Sequence, residues 1–346
     1  MRRSDFHDTE CLTVRLSALG DALLTTGVLE YWRQHRRLEF HVLTRPALAP
    51  VFDGHPAVRQ VIAVSEPDLH GLAWWRFCQR LHATHGFLPC IDLHATVRTQ
   101  VLRALWHGRY VAYPKFSLTR RAFMQTRLAC FSHTLLAHSV PQRYSLALES
   151  QAPPPEVVRP VLFLRPDELT TAQGILKAHD LCRPIALHPF ATHQAKTLSP
   201  QAWQDMARHL QELGHTVIIV GRAPAPLFPG APFDLTNATD LRTTAAILSL
   251  CRALISGDSG PMHLATAVGT PCIALFGPTT REWGFYPSGP QDMVLQASCP
   301  DAPCSLHGQY ECQRGHACMT SISMQEIMDA LHALPDAEQR IPAPLS

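Results

Sequence analysis

The feature that most constrains the fold is an alternation of apolar strands and helices that runs through the chain twice. Cys11–Ser17 is a short apolar run, Ala18–Leu19–Gly20–Asp21 a tight turn, and Ala22–Arg36 has helical spacing before a second strand at Glu39–Thr44. Val58–Val64 and Gly86–Leu93 read as further strands, and Thr96–Trp106 as a helix. Ser150–Pro160 (SQAPPPEVVRP) then carries four prolines, which suit a linker or a stiff crossing rather than a helix or a central strand. After a helix over Asp167–His179 the pattern restarts. Strands are predicted at Pro184–His188, Thr216–Gly221, Ala253–Ser256 and Pro271–Phe276, separated by helices at Ser199–Leu213, Asp240–Leu250 and Gly260–Val268. Such alternation predicts an α/β chain of two Rossmann-like, doubly wound domains, residues 1–155 and 156–346, facing an interdomain cleft. Ligands of open α/β sheets bind beyond the carboxyl ends of the strands, so residues just after strands are the functional candidates.

Size and charge agree with this reading. The chain has 346 residues, 46% of them hydrophobic, enough for two cores. Only 17% are charged, which argues against disorder. The formal charge of +2 hides an asymmetry: residues 1–160 hold 19 Lys/Arg against 12 Asp/Glu, and the remainder 11 against 16. The first half should favour an anionic partner. No run of 18 apolar residues is present, and Met1–Glu10 lacks the apolar core of a secretion signal, so a cytoplasmic chain is expected.

The most informative run is Leu254–Thr279, LISGDSGPMHLATAVGTPCIALFGPT. An apolar strand ends in the turn Gly257–Asp258–Ser259–Gly260, and Pro261 opens a helix. The free N–H groups and partial positive charge of a helix N-terminus make an anion site. Ser259 can add a hydroxyl, and His263 lies on the first turns, either orienting a phosphate or hydroxyl or packing as a buried structural histidine. The plainer reading of the whole run is an ordinary crossover with an Asp cap.

Asp258–His263 (DSGPMH), with Gly269–Pro271 and Phe276–Pro278, resembles glycosyltransferase family 9, the ADP-heptose:lipopolysaccharide heptosyltransferases. Arg15–Leu24 (RLSALGDALL) resembles that family's N-terminal motif, and the likeness extends over roughly residues 11 to 330. The resemblance implies a GT-B fold, an inverting transfer and no cofactor or metal required for catalysis. It implies a nucleotide-sugar donor, held by Thr192, Lys196, Asp258, Ser259, Gly260, Pro261, Met262 and His263, and a lipopolysaccharide core acceptor. Alternatives are a heptosyltransferase acting on protein and an inactive sugar-nucleotide or glycolipid binding module. A dinucleotide oxidoreductase is disfavoured because no G-x-G-x-x-G follows the first strand.

Asp21 reads equally as a general base at the end of the first strand or as an N-cap for the following helix. The family's corresponding aspartate is its proposed base. Lys196, one of three lysines in the chain, reads as a solvated loop residue or as a cation facing the leaving group; the family's Thr/Lys loop favours the second. Two departures stand out. The family often has Lys-x-Trp-Pro where this chain has Lys196–Thr197–Leu198–Ser199–Pro200, and a glutamate that contacts the ribose where this chain runs Arg222–Ala223–Pro224–Ala225–Pro226.

Between Arg98 and Arg127 lie seven cations and no acid, interleaved with Trp106, Tyr110, Tyr113, Phe116 and Phe123. Arg98, Arg120 and Arg121 are candidates for an anionic glycolipid acceptor, with Trp74–Trp75 as an interfacial contact at the cytoplasmic face of the inner membrane. Such composition would also suit single-stranded nucleic acid, which the glycolipid reading displaces; the plainer alternative is a solvated basic face with its aromatics packed inward. Finally, Cys299, Cys304, Cys312 and Cys318, with His307 and His316 between, are spaced irregularly but close enough to hold a structural Zn or Fe ion, or to pack a loop as reduced thiols.

Overall fold

The structure is a computed structural model, and it describes residues 6–299, 302–304 and 317–335. Cys312, His307, His316 and the tail from Asp336 lie outside the described residues. The chain divides into two compact units. The first holds the described residues up to Phe116 together with Val140–Leu162; the second holds Ser117–Ser139 and the described residues from Phe163 onward. The boundary expected at 155/156 is thus replaced by an exchange: a segment of the basic stretch groups with the second unit, and the proline-rich segment with the first.

The first unit is built on β1 (Glu10–Val14), β2 (Glu39–Thr44), β3 (Val58–Ala63), β4 (Cys90–Asp92) and β5 (Tyr110–Ala112). All pair in parallel, in the order β3-β2-β1-β4-β5. β1 is buried along four of its five residues, as expected for a parallel strand covered on both faces. The helices are α1 (Leu19–Arg36), α2 (Gly71–His85) and α3 (Val97–Leu105). The order reverses between β1 and β4, so the loops after these two strands flank the switch point, where such sheets bind ligands.

Two further helices, α4 (Ser117–Thr126) and α5 (Ala129–Leu136), belong to the second unit, after which α6 (Val140–Ser145) returns the chain to the first. The proline-rich run is a stiff crossing. Val161 donates its N–H to Thr26 Oγ1 at 3.0 Å, and the Arg159 carbonyl packs so closely on Gly27 of α1 that any Cβ there would strike it. Glu149 fastens the same region by accepting from Trp32 Nε1 at 3.1 Å and from Arg36 Nε at 2.8 Å.

The second unit repeats the design. α7 (Pro166–Ala178) leads into β6 (Ile185–His188), α8 (Pro200–Glu212), β7 (Val217–Ile219), α9 (Leu241–Leu250), β8 (Ala253–Gly257), α10 (Gly260–Ala267), β9 (Cys272–Phe276) and β10 (Met293–Gln296), and α11 (Ala317–Thr320) and α12 (Met324–His332) follow. The parallel order is β10-β9-β8-β6-β7, with the switch between β6 and β8. α8 shows why the pattern was readable. Ser199 caps it by accepting from Ala202 N–H at 3.1 Å, and Trp203, Met206, Ala207 and Leu210 recur on one face and are buried. Among the described residues, no helix is long and apolar enough to cross a membrane.

Candidate active site

In the first unit, the turn after β1 places Asp21 at the third position of α1. The N-cap is Ala18, so the predicted N-cap role is corrected: the Asp21 carboxylate instead reaches back to the cap's N–H, Ala18 N to Oδ2 at 3.3 Å. Oδ1 meets two stronger partners, Arg15 Nη2 at 2.5 Å and the Tyr144 hydroxyl, which donates at 2.6 Å. Burial by itself pushes the Asp21 carboxyl up, but Arg15, Tyr144 and the Ala18 N–H together hold it below the usual carboxylate value. It is therefore an anion at neutral pH, with its side chain still 23% exposed.

The loop after β4 completes this edge. Asp92 Oδ1 accepts from the N–H groups of His94 and Ala95 at 2.9 and 2.8 Å, and Lys115 Nζ donates to the carbonyls of the same two residues at 3.3 Å each. Burial, then the cations Arg15 and Lys115, drive His94 down to about 3, so its imidazole is neutral. Arg98 also lowers His94, and Asp21 raises it. Sequence reasoning had singled out none of Arg15, His94 or Tyr144. Arg15 stood within the quoted motif; Tyr144 carried no local signal.

In the second unit, the loops after β6 and β8 converge. A single 3-10 turn, Gln194–Lys196, carries Lys196 so that Nζ lies 2.6 Å from Asp258 Oδ2. The Thr279 hydroxyl, after β9, donates to the same oxygen at 2.8 Å. Gly257 is required here because a Cβ would strike the Lys196 carbonyl oxygen, so the lysine loop lies directly on the end of β8. The altered Lys-Thr-Leu-Ser-Pro loop is locked in another way: Trp203 Nε1 donates to Thr197 Oγ1 at 2.8 Å, and that hydroxyl donates to the Pro189 carbonyl at 2.9 Å.

Ser259 is the N-cap residue of α10, but its side chain makes no capping bond. Its hydroxyl bonds Ser256 Oγ at 2.9 Å and His188 Nδ1 at 3.3 Å. Burial holds His188 down to about 4, leaving a neutral ring at pH 7. Gly260 is the first helical residue, so Pro261 takes the second position, one later than expected. Met262 and His263 are buried, at 0% and 2% exposure, while Thr192 is exposed. The predicted donor residues thus cluster at one sheet edge, with Asp258, Ser259, Gly260, Pro261 and Lys196 presenting partly exposed groups. The two acids that follow the glutamate-less loop along the chain are occupied in the fold: Asp234 accepts from Phe228 N–H at 2.6 Å and from Thr236 N–H at 2.9 Å, and Asp240 caps α9.

The acceptor candidates are not all in one unit. Arg98 is in the first and donates Nε to the Leu69 carbonyl at 3.0 Å; Arg120 and Arg121 are on α4 in the second. Trp106, Tyr113 and Phe123 are buried and pack inward, and the half-buried Tyr110 donates its hydroxyl to Asp92 at 2.9 Å. Trp74 is buried too, its indole donating to the Arg98 carbonyl at 2.9 Å, and only Trp75 is exposed. Of the cysteines, Cys299 is half-buried, Cys304 exposed and Cys318 buried; among the described residues no three His, Cys, Asp or Glu side chains converge as metal ligands do.

The chain is 27% identical over 322 residues to lipopolysaccharide heptosyltransferase 1 of Pseudomonas aeruginosa, covering 85% of each chain. Its fold matches a family 9 glycosyltransferase of Veillonella parvula (18% identity, TM-score 0.72, 95% of this chain and 97% of that one). It also matches the ADP-heptose lipopolysaccharide heptosyltransferase II of E. coli (16%, TM-score 0.71, 94% and 98%), which makes the fold GT-B. Residues 133–313 match the family profile for glycosyltransferase family 9 (heptosyltransferase), and the chain belongs to that family.

Proposed function

We propose that this chain transfers a heptose from ADP-heptose to a lipopolysaccharide core acceptor in a single inverting displacement. The observation that carries the reading is the pair of built sheet edges in one member of this family: an ionised, partly exposed carboxylate after β1, and a lysine-backed helix N-terminus after β8. In this reading Asp21 takes the proton of the acceptor hydroxyl as its oxygen attacks the anomeric carbon. The bond from that carbon to the diphosphate breaks, and its electron pair leaves with the diphosphate oxygen. Lys196 and the N-terminus of α10 meet the growing charge, while Asp258, itself bonded by the Thr279 hydroxyl, holds Lys196 in place. No resident metal is assigned to the transfer. The names of the relatives support the choice of heptose and ADP. The test is incubation with ADP-heptose and a panel of truncated lipopolysaccharides. A mass gain of one heptose unit on an acceptor is expected, and no transfer to any member of the panel would overturn the reading.

The acceptor is an anionic glycolipid, approached from the cytoplasmic face of the inner membrane. Arg98 and Lys115 belong to the same unit as Asp21 and supply positive charge around His94. Along the α4–α5 segment, Arg121 and Leu118 are exposed, as are Leu128 and Leu136, a mixture that suits an anionic lipid surface. Sedimentation with anionic vesicles should show salt-sensitive binding that is lost on charge reversal at Arg120 and Arg121. Binding indifferent to both would remove the membrane contact.

A further inference from the structure

We propose that Asp21 acts through Oδ2, and that Arg15 and Tyr144 are positioning residues that clamp Oδ1; this rests on the reading of Asp21 as the base. The two carboxylate oxygens are not equivalent. Oδ1 receives two short, charge-assisted bonds, from Arg15 Nη2 at 2.5 Å and from the Tyr144 hydroxyl at 2.6 Å. Oδ2 has one polar partner among the described residues, the Ala18 N–H at 3.3 Å, beyond the usual range for such a bond. The oxygen with lone pairs to spare is therefore Oδ2.

The clamp is itself held. Arg15 is 4% exposed, and its other Nη donates to the carbonyl of Leu93, the residue after β4, so one guanidinium ties the β4 loop to the β1 loop. That guanidinium lies 5.2 Å from the centroid of the Tyr144 ring, and Tyr144 is fully buried with its ring edge-on to Tyr113 at 4.9 Å and 88°. Neither partner can swing away without vacating a packed site.

This division suits the proton transfer. As the acceptor hydroxyl oxygen bonds to the anomeric carbon and the carbon–diphosphate bond breaks, the hydroxyl proton passes to Oδ2. The carboxyl group then carries O–H at Oδ2 and C=O at Oδ1, and a carbonyl oxygen still accepts both bonds of the clamp. No positioning contact has to move during the step, so the base is oriented before substrate arrives. The clamp also lowers the basicity of Asp21, and orientation offsets that loss.

Tyr144→Phe removes the hydroxyl and keeps the ring packing. Its kcat should fall about tenfold, as expected for one well-placed hydrogen bond, with the donor KM unchanged. The acidic limb of kcat/KM should move to higher pH, because one of the bonds that hold the Asp21 carboxyl down is gone. Arg15→Lys keeps the charge but loses the fork joining Oδ1 to Leu93, and should lower kcat by at least the same factor. If Tyr144→Phe leaves both kcat and the acidic limb in place while Asp21→Asn is inactive, the clamp is refuted and the base stands. If Asp21→Asn is itself active, the base is refuted and the clamp with it.

Discussion

Asp21→Asn should lower kcat by roughly 10²–10⁴-fold while leaving the binding of ADP, read by ligand-induced thermal stabilisation, close to that of the parent protein. Asparagine is nearly isosteric and still offers an oxygen to Tyr144, but it accepts no proton at neutral pH. It also leaves the Arg15 guanidinium, 5% exposed as a side chain, without its counter-charge. A drop in melting temperature should therefore accompany the loss of activity, since removing one partner of a buried pair is costly. The two effects separate cleanly. Stability depends on the Arg15 pair and activity on the carboxylate, so activity should stay lost at temperatures where the variant is fully folded. Activity within a few-fold of the parent would take Asp21 out of the mechanism. The lowered pKa adds a signed expectation. A carboxyl held below its unfolded value contributes stability at neutral pH, and that contribution is lost as pH falls through the folded value, on the acid side of the ordinary carboxylate range.

Lys196→Ala should reduce kcat by about 10²–10³-fold, the cost of losing one preorganised charge at a leaving group, equivalent to about 2.7–4 kcal/mol. The position makes the loss worse than the removal of a cation alone. Lys196 neutralises Asp258 at 2.6 Å, and without it a carboxylate that has lost this counter-charge stands at the helix end that would receive the diphosphate. The donor KM should therefore rise as well. The double variant Lys196→Ala/Asp258→Asn should recover donor affinity relative to Lys196→Ala but not kcat, and the non-additivity measures the coupling. Equal kcat in Lys196→Ala and the parent would show that the leaving-group charge is met elsewhere.

Much of this architecture was legible in the linear chain, for a physical reason. Buried parallel strands are short apolar runs, and helices between them carry period-3.6 stripes and caps, as in α8 with Ser199 and Trp203, Met206 and Leu210. Glu39–Thr44 matches β2 at both ends; β8 runs one residue beyond the predicted Ala253–Ser256, β1 starts one residue before the predicted Cys11, and the remaining predicted strands are shorter in the structure by one to five residues at their ends. β5 and β10 were not anticipated. They are edge strands of three and four residues, partly exposed, so little apolar signal marks them. The split of the basic stretch between the two units was not legible, because charge count says nothing about which body a helix joins: α4 and α5 pack with the second unit, where Phe123 lies edge-on to Trp283 at 6.1 Å and 85°.

The linear sequence by itself determined the two sheets, the glycine-rich turn, the α10 helix and the presence of Asp21 and Lys196 just past strand ends. Those features depend on neighbours within a few positions. Only the tertiary structure decided what each charged group meets: Tyr144 lies 123 residues from Asp21, and Asp258 lies 62 from Lys196. Neither pairing is written in local pattern: Tyr144 reaches Asp21 because α6 packs on α1, and Lys196 reaches Asp258 because β6 and β8 are neighbours at the switch of the second sheet. The reactivity of a carboxylate is set by those partners.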